Sequence, residues 1–114
     1  MKSYPDKWER VSDNGLEPNR DWPVDPEAPA QDQVDVCREW LRLHAEPTKN
    51  IRRAAYSYAL KHVVEKWVAK SGHHKYVSNG AFIAAALQEG YRAKRATSGS
   101  LNARFNMQVR KEKT

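Results

Sequence analysis

Apolar positions along this chain keep helical time through its middle and then switch to strict alternation. In residues 32–44, DQVDVCREWLRLH, Val36, Trp40, Leu41 and Leu43 fall near helical spacing. Asp32 suits the cap of this first helix, and Pro47 stops the run because its ring admits no further helical turn. A second helix is expected from Thr48 to Ser71. Its apolar positions are Ala55, Tyr56, Ala59, Leu60, Val63, Val64, Trp67 and Val68, and Gly72 ends it. Arg53, Ser57, Lys61 and Glu65, spaced by four, form its outward polar face, with Lys66 and Lys70 alongside. Ser78-Asn79-Gly80 then reads as a helix start, since a serine hydroxyl can accept from an orphan N–H one turn on. The helix AFIAAALQE follows, burying Phe82, Ile83, Ala86 and Leu87 and stopping at Gly90. Ala81, Ala84, Ala85 and Gln88 make its other, smooth face, to which another backbone could pack closely.

From Tyr91 the period falls to two. Leu101, Ala103, Phe105, Met107 and Val109 share one side of LNARFNMQV, and Asn102, Arg104, Asn106, Gln108 and Arg110 share the other. Upstream, Tyr91 and Ala93 alternate with Arg92 and Lys94. Thr97-Ser98-Gly99-Ser100 between them is turn chemistry, so a β-hairpin is expected with its apolar side on the helices. The predicted fold is α+β: three helices followed by a C-terminal two-stranded β-hairpin, the element order of a winged helix.

Residues 1–31 break this pattern. They carry Pro5, Pro18, Pro23, Pro26 and Pro29 among acidic and amide residues, and proline removes backbone donors. An extended, Pro-rich N-terminal arm is expected over 1–31, with a basic helical and hairpin domain over 32–114. The arm is expected to be docked in part through Tyr4, Trp8 and Trp22, because indoles rarely persist on a free linker. Trp40 and Trp67 are expected in the core.

Charge adds the partner class. Residues 1–48 hold 11 acidic and 6 basic side chains, whereas residues 49–114 hold 14 basic and 3 acidic ones. A basic module behind an acidic leader points to an anionic partner, DNA or RNA first. The candidate contacts are Arg92, Lys94, Arg104 and Arg110 on the ribbon and Arg52, Arg53 and Lys61 on the second helix. Asn102, Asn106 and Gln108 supply amide donors between them. The third helix offers little beyond Gln88 for reading base edges, so binding is expected to be backbone-directed and salt-sensitive. Tyr56 and Tyr58, beside Arg52 and Arg53, are candidates for stacking unpaired bases.

Catalytic and metal chemistry find little footing. Cys37 is the single cysteine, and beside Val36 and Trp40 it reads as a small core residue; a disulfide within the chain is excluded. His62 lies three residues before Glu65 and His73-His74 follow, but no C-x-x-C or H-x-x-x-H pair gathers two ligands on one ion. No catalytic residue, metal or cofactor is expected. With no apolar leader and no span near 20 apolar residues, a cytoplasmic protein without a membrane is expected.

The stretches YSYALKHVVE (56–65), YVSNGAFIAAALQEGY (76–91) and SLNARFN (100–106), within roughly half the chain, resemble a module in small uncharacterised proteins of phages and other mobile elements. The resemblance carries no catalytic residue. It implies an accessory-genome setting, where small basic proteins commonly act on DNA or on the host's nucleic-acid machinery. The leading expectation is a non-enzymatic accessory protein that binds nucleic acid. The alternative is an anti-CRISPR-like inhibitor that binds a host defence complex through the acidic arm or the alanine face. The arm either mimics phosphate towards such a partner or shields the chain's own basic face. A homodimer through Ala81, Ala84 and Ala85 or a free hairpin edge is a third expectation.

Overall fold

The computed structural model describes residues 7–73 and 75–110. These residues form an α+β fold with three helices and six short strands. A small hairpin, β1 (Arg10–Val11) and β2 (Leu16–Glu17), leads into α1 (Gln31–His44) and β3 (Ala45–Pro47). Helices α2 (Ser57–Ala69) and α3 (Asn79–Gln88) follow, then strands β4 (Ala93–Arg95), β5 (Ala103–Phe105) and β6 (Met107–Val109). All strand pairs are antiparallel: β1 with β2, β3 with β6, and β4 with β5.

Helix α3 is the centre of the fold. Ser78 caps it as expected, its hydroxyl accepting from the Ala81 N–H at 3.0 Å. It packs chiefly on α1 and then on α2, and Phe82 sits 6.2 Å from Trp40 and 5.7 Å from Phe105, ring centre to ring centre. Full burial of a ring such as Phe82 contributes about 2–3 kcal/mol. The expected smooth outer face of this helix is not outside. Ala81 and Ala85 are fully buried and Ala84 partly so, because α3 is apolar almost all round and the chain surrounds it. The alanine face is therefore already occupied from within, and neither a partner nor a second copy can take it without opening the core.

The second helix begins later than its periodicity suggests. Residues 48–56 are irregular because their backbone groups bond across the chain. Thr48 N–H donates to Asn106 O (2.9 Å), Arg52 N–H to Phe105 O (2.9 Å) and Phe105 N–H to Ala55 O (3.0 Å), while Tyr56 bridges to Arg104. A helix would withdraw these groups into its own ladder. Cross-chain pairing wins here.

The hairpin forms where alternation placed it, with Ala93 opposite Phe105, Lys94 opposite Arg104 and Arg95 opposite Ala103. The ribbon ends at Asn106, however, and the chain beyond it pairs with β3 rather than continuing along β4. Asn106 is buried although alternation put it outside. Its side chain accepts from Arg92 N–H (2.6 Å) and donates to Thr48 O (3.2 Å), tying the kink to both neighbours. Val109, expected inside, is exposed. At α1 the cap is Ala30, one residue before the helix; Asp32 lies in the first turn and pairs instead with Lys75. Leu43, expected on the apolar face, points to solvent.

Residues 7–30 lie against this framework. Leu16 and Glu17 are buried, and Leu16 N–H donates to Leu101 O at 3.0 Å. The Glu17 carboxylate accepts from Ser12 Oγ (2.7 Å), Asn19 Nδ2 (2.9 Å) and Asp25 N–H (3.2 Å), which satisfies a charge that burial would otherwise penalise. Of the expected aromatic anchors, Trp8 packs at the core margin, Trp22 stays largely exposed and Tyr4 lies outside the described residues. Trp40 is in the core and Trp67 only at its edge.

A buried arginine joins this leader to the hairpin. Arg95 alternates onto the apolar side of β4 and donates to Ser100 O (2.8 Å), Pro18 O (2.7 Å) and Lys7 O (3.2 Å). Arg95→Ala would leave these carbonyls unanswered in a buried setting. It is expected to cost about 3 kcal/mol in urea unfolding and to raise proteolytic cleavage within 7–30.

Candidate nucleic-acid interface

Five of the seven basic residues singled out from the sequence lie on the ribbon, beside it, or on the irregular segment 48–56 that pairs with it. By pairing with β5 it sets Arg52 and Arg53 beside the ribbon. Arg52 Nη1 donates to Gln108 Oε1 (2.6 Å), and Arg92 Nη2 donates to Lys49 O (2.7 Å). Lys94 and Arg104 face each other directly across the ladder. Arg104 lies 5.5 Å from the Tyr56 ring centre and donates to Ala96 O at 2.9 Å. Lys49, which the sequence reading passed over although it belongs to the same basic run, joins the group.

On other faces several cations sit on carboxylates: Arg38 and Arg42 on Glu89 (2.7 and 2.9 Å), Lys61 on Glu65 (3.6 Å), Lys75 on Asp32 and Arg20 on Asp21 (3.5 Å). Lys7, Arg10, Lys66 and Lys70 have no carboxylate within 4.0 Å among the described residues. The Glu89 carboxyl is held below its usual range by Arg42 and then by Arg38. Among the described residues, no carboxylate lies within 4.0 Å of the side-chain nitrogens of Lys49, Arg52, Arg53, Arg92, Lys94 or Arg104. Like charges directly opposite on a ladder destabilise it. Lys94 and Arg104 make such a pair, set by the register of the inward-facing residues on either side.

The other two predicted contacts fall elsewhere. Arg110 stands at the far end of β6, 3.9 Å from Glu46. Lys61 is only 5% exposed. The polar stripe Ser57, Lys61, Glu65 looks outward in the sequence but turns inward in the fold, because each member finds a partner there. Ser57 Oγ accepts from Ala103 N–H at 3.0 Å. Lys61 Nζ lies 4.7 Å from the Tyr76 ring centre and 5.4 Å from that of Tyr58. Glu65 accepts from Val77 N–H at 3.0 Å and shares a 2.8 Å hydrogen bond with His62 Nδ1.

Burial pushes the Glu65 carboxyl up, but the Val77 N–H, His62 and Lys61 together outweigh it and hold it below the usual carboxylate range. A lowered folded-state pKa contributes stability above the unfolded value and loses it as pH falls through the folded value. Glu65→Gln is therefore expected to cost about 1–2 kcal/mol at neutral pH and to flatten the acid limb of stability against pH, measured by urea unfolding from pH 7 to pH 3.

The interleaved amides do not serve as base readers. Asn102 donates to Tyr56 Oη (2.7 Å) and Gln108 to Glu46 Oε1 (2.7 Å), while Asn106 is buried in the kink. His44 and Cys37 are also drawn into packing. His44 lies against Trp40 and Trp67, and burial, with Glu65 nearby, pushes the Cys37 thiol up to about 12. Among the described residues, no three His, Cys, Asp or Glu side chains converge as a metal site would require, and no helix is long and apolar enough to cross a membrane.

Set against protein-family models, curated proteins and solved structures, the chain matches none of them.

Proposed function

We propose that this protein binds nucleic acid, without catalysis, by holding the phosphate backbone on the β4–β5 ribbon and the 48–56 segment. The observation that carries the reading is the cluster Lys49, Arg52, Arg53, Arg92, Lys94 and Arg104. These cations come from three stretches of chain, stand on the ribbon and the segment paired with it, and have no carboxylate partner among the described residues, so six positive charges share one region with nothing of opposite sign to neutralise them. Phosphates are the ligand such a face suits, since each neutralised phosphate releases a condensed counterion. Guanidinium forks also match phosphate oxygens in geometry. The docking mode is ribbon-led. A winged-helix mode with α3 in the major groove gains no support, because α3 is the buried centre of the fold. The resemblance of residues 56–106 to small proteins of phages and mobile elements supports reading it as an accessory protein of that kind. Inhibition of a host complex through the alanine face is disfavoured by the burial of Ala81 and Ala85.

Fluorescence anisotropy with labelled oligonucleotides at two salt concentrations tests the proposal. Binding at micromolar or tighter concentration is expected, with log K falling against log salt by roughly 0.9 per phosphate contacted on duplex. Absence of binding at low salt would sink it.

A further inference from the structure

Beside the basic face, three large rings stand largely in solvent. Trp22 is 62% exposed, Tyr58 50% and Tyr76 63%. Trp22, Tyr58 and Tyr76 wall a cleft of about 500 Å³. A neighbouring cleft of about 440 Å³ shares Trp22, Tyr58 and Leu101 and reaches Tyr56 and Asn102. Tyr56 in turn lies under Arg104, the ribbon's central cation. A continuous path therefore runs from the phosphate-binding face to the rings.

Two of the rings, Tyr58 and Tyr76, are held as platforms. Tyr58 is braced edge-on by His62 at 4.8 Å, and the Lys61 ammonium lies between Tyr58 and Tyr76. That explains a nearly buried lysine with a single carboxylate partner: its charge orients two tyrosines. Asn79, 7% exposed, also lines the cleft. It commits its NH2 to Asn14 O (2.9 Å) and Leu101 O (3.3 Å), leaving its Oδ1 without a hydrogen-bond partner.

Electrostatics divides the work between the two regions. Asp13, Asp21 and Glu65 line the clefts and would repel a phosphate there. The ribbon has no such carboxylate and attracts one. We infer that the Trp22–Tyr58–Tyr76 cleft is a stacking site for unpaired bases, so that the ligand is a single strand whose backbone follows the ribbon while its bases turn into the cleft. Aromatic faces accept any base, whereas bases paired within a duplex cannot leave their stack without breaking it. The inference rests on the ribbon reading and narrows it from nucleic acid to unpaired nucleic acid.

The test compares the full chain with Trp22→Ala/Tyr58→Ala, both positions being exposed, against single-stranded DNA, single-stranded RNA and duplex DNA of equal length. The parent is expected to bind single strands about 10-fold or more tighter than duplex, given the size of base–aromatic stacking. Binding should also quench emission from Trp22. The variant should fall to the duplex level on single strands and bind duplex unchanged, with an unaltered unfolding midpoint. Equal parent affinity for single strands and duplex, or equal losses on both in the variant, would overturn the cleft and leave the ribbon standing. No binding to any of the three would overturn both.

Discussion

Gly80→Ala is expected to destabilise the protein by about 3 kcal/mol or more, lowering its thermal midpoint by roughly 10–20 °C. Helix propensity argues the opposite, since alanine in a helix is worth up to about 1 kcal/mol over glycine. The site decides against it. A Cβ at Gly80 would stand 1.7 Å from Ser12 O and 2.8 Å from the Ser12 carbonyl carbon, and backbone has no rotamer by which to step aside. Segment 12–15 lies directly on the start of α3: Gly80 N–H donates to Asp13 O at 3.1 Å and Asn79 Nδ2 to Asn14 O at 2.9 Å. The same approach requires glycine on the other side of the contact. Gly15 has φ +142°, and its Cβ would fall 2.2 Å from Leu101 O. Adding the methyl group at Gly80 must lift this segment and expose Leu16. Urea unfolding of the variant checks the expectation through its sign. A gain of stability would mean that the leader does not rest on α3 in solution.

The second large effect concerns binding. Lys49→Glu/Arg53→Glu/Lys94→Glu should weaken nucleic-acid binding about 100-fold or more near 0.1 M salt and lower the salt slope by about three contacts. These positions are exposed, and their side chains make no hydrogen bond or ion pair among the described residues, so the fold loses nothing with them. Lys94→Glu alone is the sharper instrument. It sets a carboxylate opposite Arg104 in the ladder, turning a repulsive cross-strand pair into an attractive one. Stability should hold or rise by about 0.5 kcal/mol while affinity falls. Opposed signs in unfolding and anisotropy would mark a residue kept for its ligand rather than for the fold. Parallel losses in both would show that Lys94 serves packing.

Much of the fold is legible in the chain. Alternation after Tyr91 yields the β4–β5 register side, Ser78 and Gly90 bracket α3, and the apolar run around Trp40 locates α1. Where the reading fails, the cause is consistent. The helical pattern over 48–56 is real, but residues 103–106 claim the same backbone groups, and propensity does not see a strand fifty residues away. The stripe Ser57, Lys61, Glu65 is polar, which in an isolated helix means outward. Tyr76, Val77 and Ala103 arrive from later in the chain to satisfy it inside. The alanine face fails in the same manner, being smooth because α1 and the leader come close, not because a partner does.

The candidate site divides along the same line. Which residues are basic, and that they concentrate after residue 48, is a property of composition and needs no fold. Local periodicity likewise determines the helices, the hairpin and the outward side of β4 and β5, because these depend on neighbours within a few positions. That Lys49, Arg52 and Arg53 stand beside Arg92, Lys94 and Arg104, that Lys61 leaves the group, and that Trp22 meets Tyr58 and Tyr76 are decided only by tertiary structure. Each depends on a contact between segments far apart in sequence, made wherever a buried N–H, C=O or charge finds its partner.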